Sequence, residues 1–162
     1  IQVTLITIDH KIKNLMPLAK EIMKLDHVVS VYQNETEWQN PQVWGIYFAD
    51  LPKIEGSHIL HGKRPVIVYS NNICNNTSTE INVYPITKKL RNWIPTHVTI
   101  YPNTSNGLKM VSQVYLEQGR TIPKNNLLEY WGRISDLSLM LKIGHGILIQ
   151  NGMLSYMNAM AS

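Results

Sequence analysis

From Pro41 onward the chain is written in short β-branched and aromatic runs, each cut off by Gly, Pro, Asn or Ser. Residues 43–49, 65–69, 81–86, 97–101 and 113–117 are such runs, suited to the pleated surface of a strand and separated by turn formers. That many strands within about a hundred residues leave no space for crossover helices, so the pattern predicts a small barrel or strongly bent sheet rather than parallel α/β units. The tail then changes period. Ser135 is the expected cap of a helix whose apolar stripe is Leu137, Met140, Leu141 and Leu148, with Gly144 and Gly146 weakening its second half. The Asn-rich stretch Asn71, Asn72, Asn75 and Asn76 reads as a loop.

Before Asn40-Pro41 the pattern is different. Ile1, Val3, Leu5 and Thr7 alternate as in a short strand. Residues 11–27 carry Ile12, Leu15, Met16, Ala19, Ile22 and Met23 at helical spacing, with the helix starting near Pro17, a residue tolerated in a first turn but not in a helix interior. The chain therefore divides into a strand/helix extension, 1–43, and a domain, 44–162. The 162 residues are enough for a packed core without staples. Lone Cys74 cannot form an internal disulfide, which fits a reducing compartment. No apolar run approaches the ~20 residues of a membrane span, and the first residues lack the charge order of a secretory signal. A cytoplasmic protein with no membrane partner is expected.

Charge follows the same division. Residues 1–43 hold four lysines against five acids, net −1, whereas the remainder holds eleven basic and six acidic residues, net +5. Lys88, Lys89 and Arg91 cluster just after Thr87, with Trp93 and Tyr101 near them. A basic, partly aromatic surface suits a phosphate-rich single strand whose bases stack on rings. No Cys/His set has zinc spacing, and no Gly-rich phosphate loop or nucleophile elbow is present, so neither a metal nor a cofactor is expected.

Five blocks in fixed order carry a family resemblance: WGIYFADLP (44–52), HGKRPVIVYSN (61–71), PITKKL (85–90), PTHVTI (95–100) and LEQGRTI (116–122). In that order and spacing they resemble the MazF/PemK toxins, small ribonucleases that cut single-stranded RNA without a metal. The resemblance implies an SH3-like barrel of the MazF/Kid/CcdB type with appended helices, usually a homodimer. It places Arg64, before Pro-Val, on the family's catalytic arginine and Thr87, in PITKKL, on its catalytic threonine. Ser57 and His58 fall in the loop that lies near the scissile phosphate in relatives. That loop, GSHILHGKR, is one residue longer than the common pattern, and Trp44-Gly45 replaces the usual Gly-Asp.

The chemistry of these residue types agrees. Attack by a ribose 2′-hydroxyl on its own phosphate builds negative charge, and a guanidinium fork meets two phosphate oxygens in a way an ammonium cannot. His58 or His61 is a candidate proton acceptor, since an unperturbed imidazole titrates near neutrality. Lys63, Lys88, Lys89, Arg91, Trp93, Glu117, Gln118 and Arg120 are the candidate RNA-binding set, with an ion pair expected between Glu117 and Arg120 or Arg64. The expected activity is a sequence-specific, metal-independent endoribonuclease leaving a 2′,3′-cyclic phosphate and a 5′-hydroxyl on messenger RNA. The expected partners are single-stranded RNA, a second copy, a MazE-like or other antitoxin, and promoter DNA through the antitoxin complex. Two other readings are a CcdB-like gyrase poison and an inactive binding module on the same fold. The Arg64–Thr87 pair argues against the first; the altered 56–64 loop is the one feature favouring the second.

Overall fold

The computed structural model describes residues 40–91 and 94–160. The strand and helix expected within 1–39, and Trp93, lie outside them. The described strands are β1 (Gly45–Leu51), β2 (Gly62–Val68), β3 (Glu80–Thr87), β4 (His97–Ile100), β5 (Ser112–Tyr115), β6 (Arg120–Pro123) and β7 (Leu127–Arg133). The helices are α1 (Asn72–Thr77), α2 (Leu137–Gln150) and α3 (Met153–Met160).

Every ladder is antiparallel, in the order β4-β5-β3-β2-β1-β7, with β6 on β3. Strand β3 organises the sheet. Val83 pairs with Val68 on one side and Arg120 on the other, after which Ile86 and Thr87 pass to β5. One strand serving three partners bends the sheet around its core, giving the mainly antiparallel body with a C-terminal helix that the strand pattern predicts.

Both faces of the sheet are covered. Ile46, Ile67, Tyr84, Ile86, Val114, Leu116 and Ile143 fill one side; Tyr47, Ala49, Leu51, Val66, Val68, Ile81, Val83 and Ile122 fill the other. This is why Val66-Ile67-Val68 is apolar without alternation: a strand buried on both faces has no polar side to show. Each such side chain contributes about 1.5–3 kcal/mol when fully buried.

Several local expectations are corrected. Strands β6 and β7 were not anticipated, since β6 has only four residues and β7 mixes Glu129, Gly132 and Arg133 with aromatics. Residues 72–77 form a helical turn rather than a loop, because the Asn71 side chain accepts the Cys74 amide at 2.9 Å and caps it. The cap of α2 is Asp136, which accepts from the Ser138 amide at 2.9 Å, not Ser135. Helix α2 also buries a different stripe: Ile143 and Gly146 face the core with Leu139, Met140 and Ile147 beside them, while Leu137 and Leu141 are exposed. Gly146 does not break the helix because a Cβ there would lie 2.4 Å from Leu116 Cδ1; its bareness lets helix and core approach.

The Trp44-Gly45 turn survives the replacement of glycine. Trp44 has φ 68°, the left-handed region that a bulky residue rarely enters and that costs of order 1–3 kcal/mol. Its amide donates to the Val68 carbonyl at 2.8 Å, its carbonyl accepts from Ile134 at 2.9 Å, and its ring packs on the core, which together hold it there.

Candidate active site and nucleic-acid interface

Arg64 lies on β2 directly across from Ala49, whose methyl leaves space above the strand for a guanidinium. Its Nε donates to the His61 carbonyl at 2.9 Å, and Nη2 donates to the same oxygen, so the side chain is tied back on its own loop. Half-burial holds this guanidinium below its ordinary pKa, yet an arginine stays charged under such a shift. Strand alternation puts Arg64 on the face of Val66 and Val68. The β2–β3 ladder ends at Val66–Pro85; Arg64 and Thr87 each lie two residues beyond that pair, so strand alternation puts both candidate catalytic groups at the same end of the same face.

Thr87 is half-buried at the end of β3. Its Oγ1 accepts the Lys89 amide at 3.2 Å, which leaves the hydroxyl proton free to be donated elsewhere. The loop before Arg64 is folded on itself: the Ser57 amide donates to Ile54 and its Oγ accepts the Ile59 amide, both at 3.2 Å. His58 is exposed there and makes no hydrogen bond among the described residues.

Gln118 joins this loop to the opposite strand. Its Oε1 accepts the Leu60 amide at 2.8 Å, and its carbonyl accepts from Arg120 Nε at 3.3 Å. One residue thus positions both the 57–61 loop and Arg120. The 3-10 turn Leu116–Gln118 passes into β6 through Gly119, where a Cβ would lie 2.4 Å from the Tyr84 ring. Arg120 pairs with Val83 and so shares the face of Arg64. Burial, then the charge of Arg64, hold its guanidinium below the ordinary value. Arg120 Nη1 and Nη2 are shielded from solvent without a hydrogen-bond partner among the described residues.

The expected ion pair of Glu117 with Arg120 or Arg64 is not formed. Glu117 accepts from Thr96 Oγ1 at 2.9 Å and meets His97 Nε2 at 2.7 Å, because the 3-10 turn points it toward β4 while Gln118 points toward the loop. His97, its side chain 2% exposed, stacks on Tyr115 at 3.6 Å between ring centres. Lys63 is also separated from the site: it is exposed on the alternate face from Arg64, opposite Asp50.

The basic segment is exposed, but its backbone is held. Tyr115 Oη donates to the Lys89 carbonyl at 2.8 Å; Gln113 Oε1 accepts the Arg91 amide at 2.8 Å and its Nε2 donates to the Arg91 carbonyl at 3.2 Å. Lys88, Lys89 and Arg91 therefore project from a fixed rim beside Thr87. Sequence reasoning missed Gln113 and Tyr115, which read as ordinary strand residues. It also missed the loop-tying role of Gln118; for that the only signal was its place in the LEQGRTI block. Among the described residues, no three His, Cys, Asp or Glu side chains are grouped to hold a metal ion, and no helix is long and apolar enough to cross a membrane.

Comparison with known proteins places this arrangement. The chain is 36% identical over 109 residues to the endoribonuclease MazF of Staphylococcus saprophyticus, covering 67% of this chain and 88% of that protein. A solved mycobacterial endoribonuclease in complex with its cognate antitoxin has the same fold, with a TM-score of 0.56 at 24% identity over 69% of this chain and 95% of that one. A separate match, 76% identical over 45 residues, is to an uncharacterized RNA methyltransferase of Lactobacillus johnsonii; it takes in 28% of this chain but spans only 10% of that protein's length. The profile of PemK-like, MazF-like toxins of type II toxin–antitoxin systems matches residues 42–147, and the chain belongs to that family.

Proposed function

We propose that this protein is an endoribonuclease toxin that cuts single-stranded RNA, messenger RNA in the cell, at a specific sequence and without a metal. The working unit is residues 44–162. The 2′-hydroxyl attacks its neighbouring phosphate, the P–O5′ bond breaks, and a 2′,3′-cyclic phosphate and a 5′-hydroxyl result. Arg64 binds the phosphate oxygens as their charge grows, and the Thr87 hydroxyl, its oxygen already engaged by the Lys89 amide, donates a hydrogen bond to the same group. His58 receives the proton of the attacking hydroxyl, solvent water supplies the proton that makes the leaving 5′-oxygen a hydroxyl, and Ser57 holds the loop that presents His58. Lys88, Lys89 and Arg91 bind flanking phosphates from the pinned rim, with Gln118 beside them on the RNA path. What supports this reading is that Arg64 and Thr87 fall at one end of one sheet face, next to a loop that Gln118 ties down.

The same reading supplies the partners. A groove between β4 and α2, with exposed Leu137, Leu141 and Tyr101 along it, lies beside β4, which is an edge strand among the described residues, and suits a second copy of the chain. A cognate antitoxin, the kind of partner bound in the mycobacterial complex, is the inhibitor this reading implies, and promoter DNA would be reached only through that assembly. The decisive experiment uses an RNA substrate carrying a single 2′-deoxyribose at the cleaved nucleotide, in the presence of a chelator. Full cleavage of the all-ribose RNA, loss of cleavage at the substituted position and a cyclic phosphate end are expected. Cleavage of the deoxy-substituted position, or dependence on added divalent ion, overturns the mechanism.

A further inference from the structure

The geometry points to Arg120 as the second guanidinium of the phosphate site, closing with Arg64 on one phosphodiester. The inference deepens the ribonuclease reading and rests on it for the identity of the ligand. Arg120 and Arg64 share one sheet face, placed there by the Arg120–Val83 and Arg64–Ala49 pairs. Both terminal nitrogens of Arg120 are shielded from water and make no hydrogen bond among the described residues; only Nε is engaged, with the Gln118 carbonyl. The nearest candidate carboxylate, Glu117, is turned away and committed to Thr96 and His97. The charge that does act on Arg120 is another cation, Arg64.

A shielded guanidinium without acceptors, facing a like charge, is unfavourable for the free protein. It becomes favourable once an anion brings several acceptor oxygens between the two forks. A phosphodiester has two non-bridging oxygens and the right charge, and planar forks from opposite sides hold both. The Gln118 carbonyl on Nε fixes the direction of the Arg120 fork, while Gly119 lets the backbone pass close to Tyr84 to bring it there. Arg120 is therefore a binding residue for the reacting group rather than part of a structural ion pair.

The test compares wild type with Arg120→Met and Arg120→Lys, using RNA made uncleavable by a 2′-deoxyribose at the cleaved nucleotide. Arg120→Met should bind this RNA at least about tenfold more weakly, with the slope of log affinity against log salt smaller by about one. It should melt at or above the wild-type temperature in phosphate-free buffer, since it loses an unpaired shielded charge. Arg120→Lys should keep the salt slope but bind more weakly than wild type, because the fork is gone. Inorganic phosphate should raise the melting temperature of wild type more than that of Arg120→Met. Wild-type RNA affinity and salt slope in Arg120→Met overturn the proposal whatever its melting temperature; should that variant fail to fold, wild-type affinity in Arg120→Lys overturns it equally. Phosphate protection that depends on Arg120 in a protein that does not cut RNA would retain the anion site and discard the ribonuclease reading.

Discussion

Two sets of cations stand in opposite relation to water. Arg64 and Arg120 are half-buried on one face of the sheet, their backbone fixed by strand pairing and, among the described residues, their charge left without a carboxylate. Lys88, Lys89 and Arg91 are fully out in solvent, and there the protein fixes the backbone instead, through Tyr115 and Gln113. Charge in a shielded site acts strongly on one group at short range, whereas solvated charge acts weakly and is screened within about 10 Å at ordinary salt. The inner pair is suited to a transition state. The outer set is suited to guiding a polyanion along the surface, whatever its sequence.

The contrast breaks most readily at Arg64. Arg64→Ala should lose on the order of a hundredfold or more in cleavage, the range for removing one preorganised donor, while still binding RNA. Arg64→Lys should not restore it, and wild-type rates in the lysine variant would make Arg64 one more general cation. Next in size is Thr87→Ala, whose cleavage rate should fall about tenfold, the worth of one hydrogen bond; Thr87→Ser should recover most of the loss. An unaffected Thr87→Ala would leave Thr87 as a strand former only.

The outer set should respond differently. Tyr115→Phe removes the hydroxyl that donates to the Lys89 carbonyl and should cost about 1 kcal/mol of stability in urea unfolding. No change there would mean that Tyr115 does not hold the basic rim and that Gln113 alone ties it to β5. The smallest effect belongs to Lys88→Ala: a few-fold weaker RNA binding at low salt, uniform across RNA sequences, with the salt slope reduced by about one. Sequence-dependent loss in this variant would move Lys88 from the rim to base readout.

Legibility in the sequence followed the range over which each signal acts. Strands β1 to β5 were readable because their residue types carry the preference locally, and Arg64 and Thr87 could be singled out as candidates because they stand in ordered blocks. Strand β6 escaped because Arg120–Pro123 is too short to show a period and owes its strand character to pairing with β3. The α2 stripe was misread by a few residues because Gly146 looked like a defect, when its missing side chain is what seats the helix on Leu116. Glu117 was assigned to the site with Gln118 and Arg120, yet successive residues of a tight turn diverge, and only the structure shows which one turns toward β4. Burial without a partner, the property that singles out Arg120, leaves no trace in residue order at all.

The seat of Gly146 on Leu116 carries one more consequence. Leu116 opens the tight turn whose third residue, Gln118, grips Leu60 in the loop beside Arg64. There is no slack in that path: a bare glycine against a buried leucine, a single turn, then one short hydrogen bond. A ligand that levers α2 away from the sheet, even one seated on the outer surface of the helix, would loosen the loop without touching the RNA channel. The back of α2 is thus joined to the loop beside Arg64 by one unbroken run of contacts.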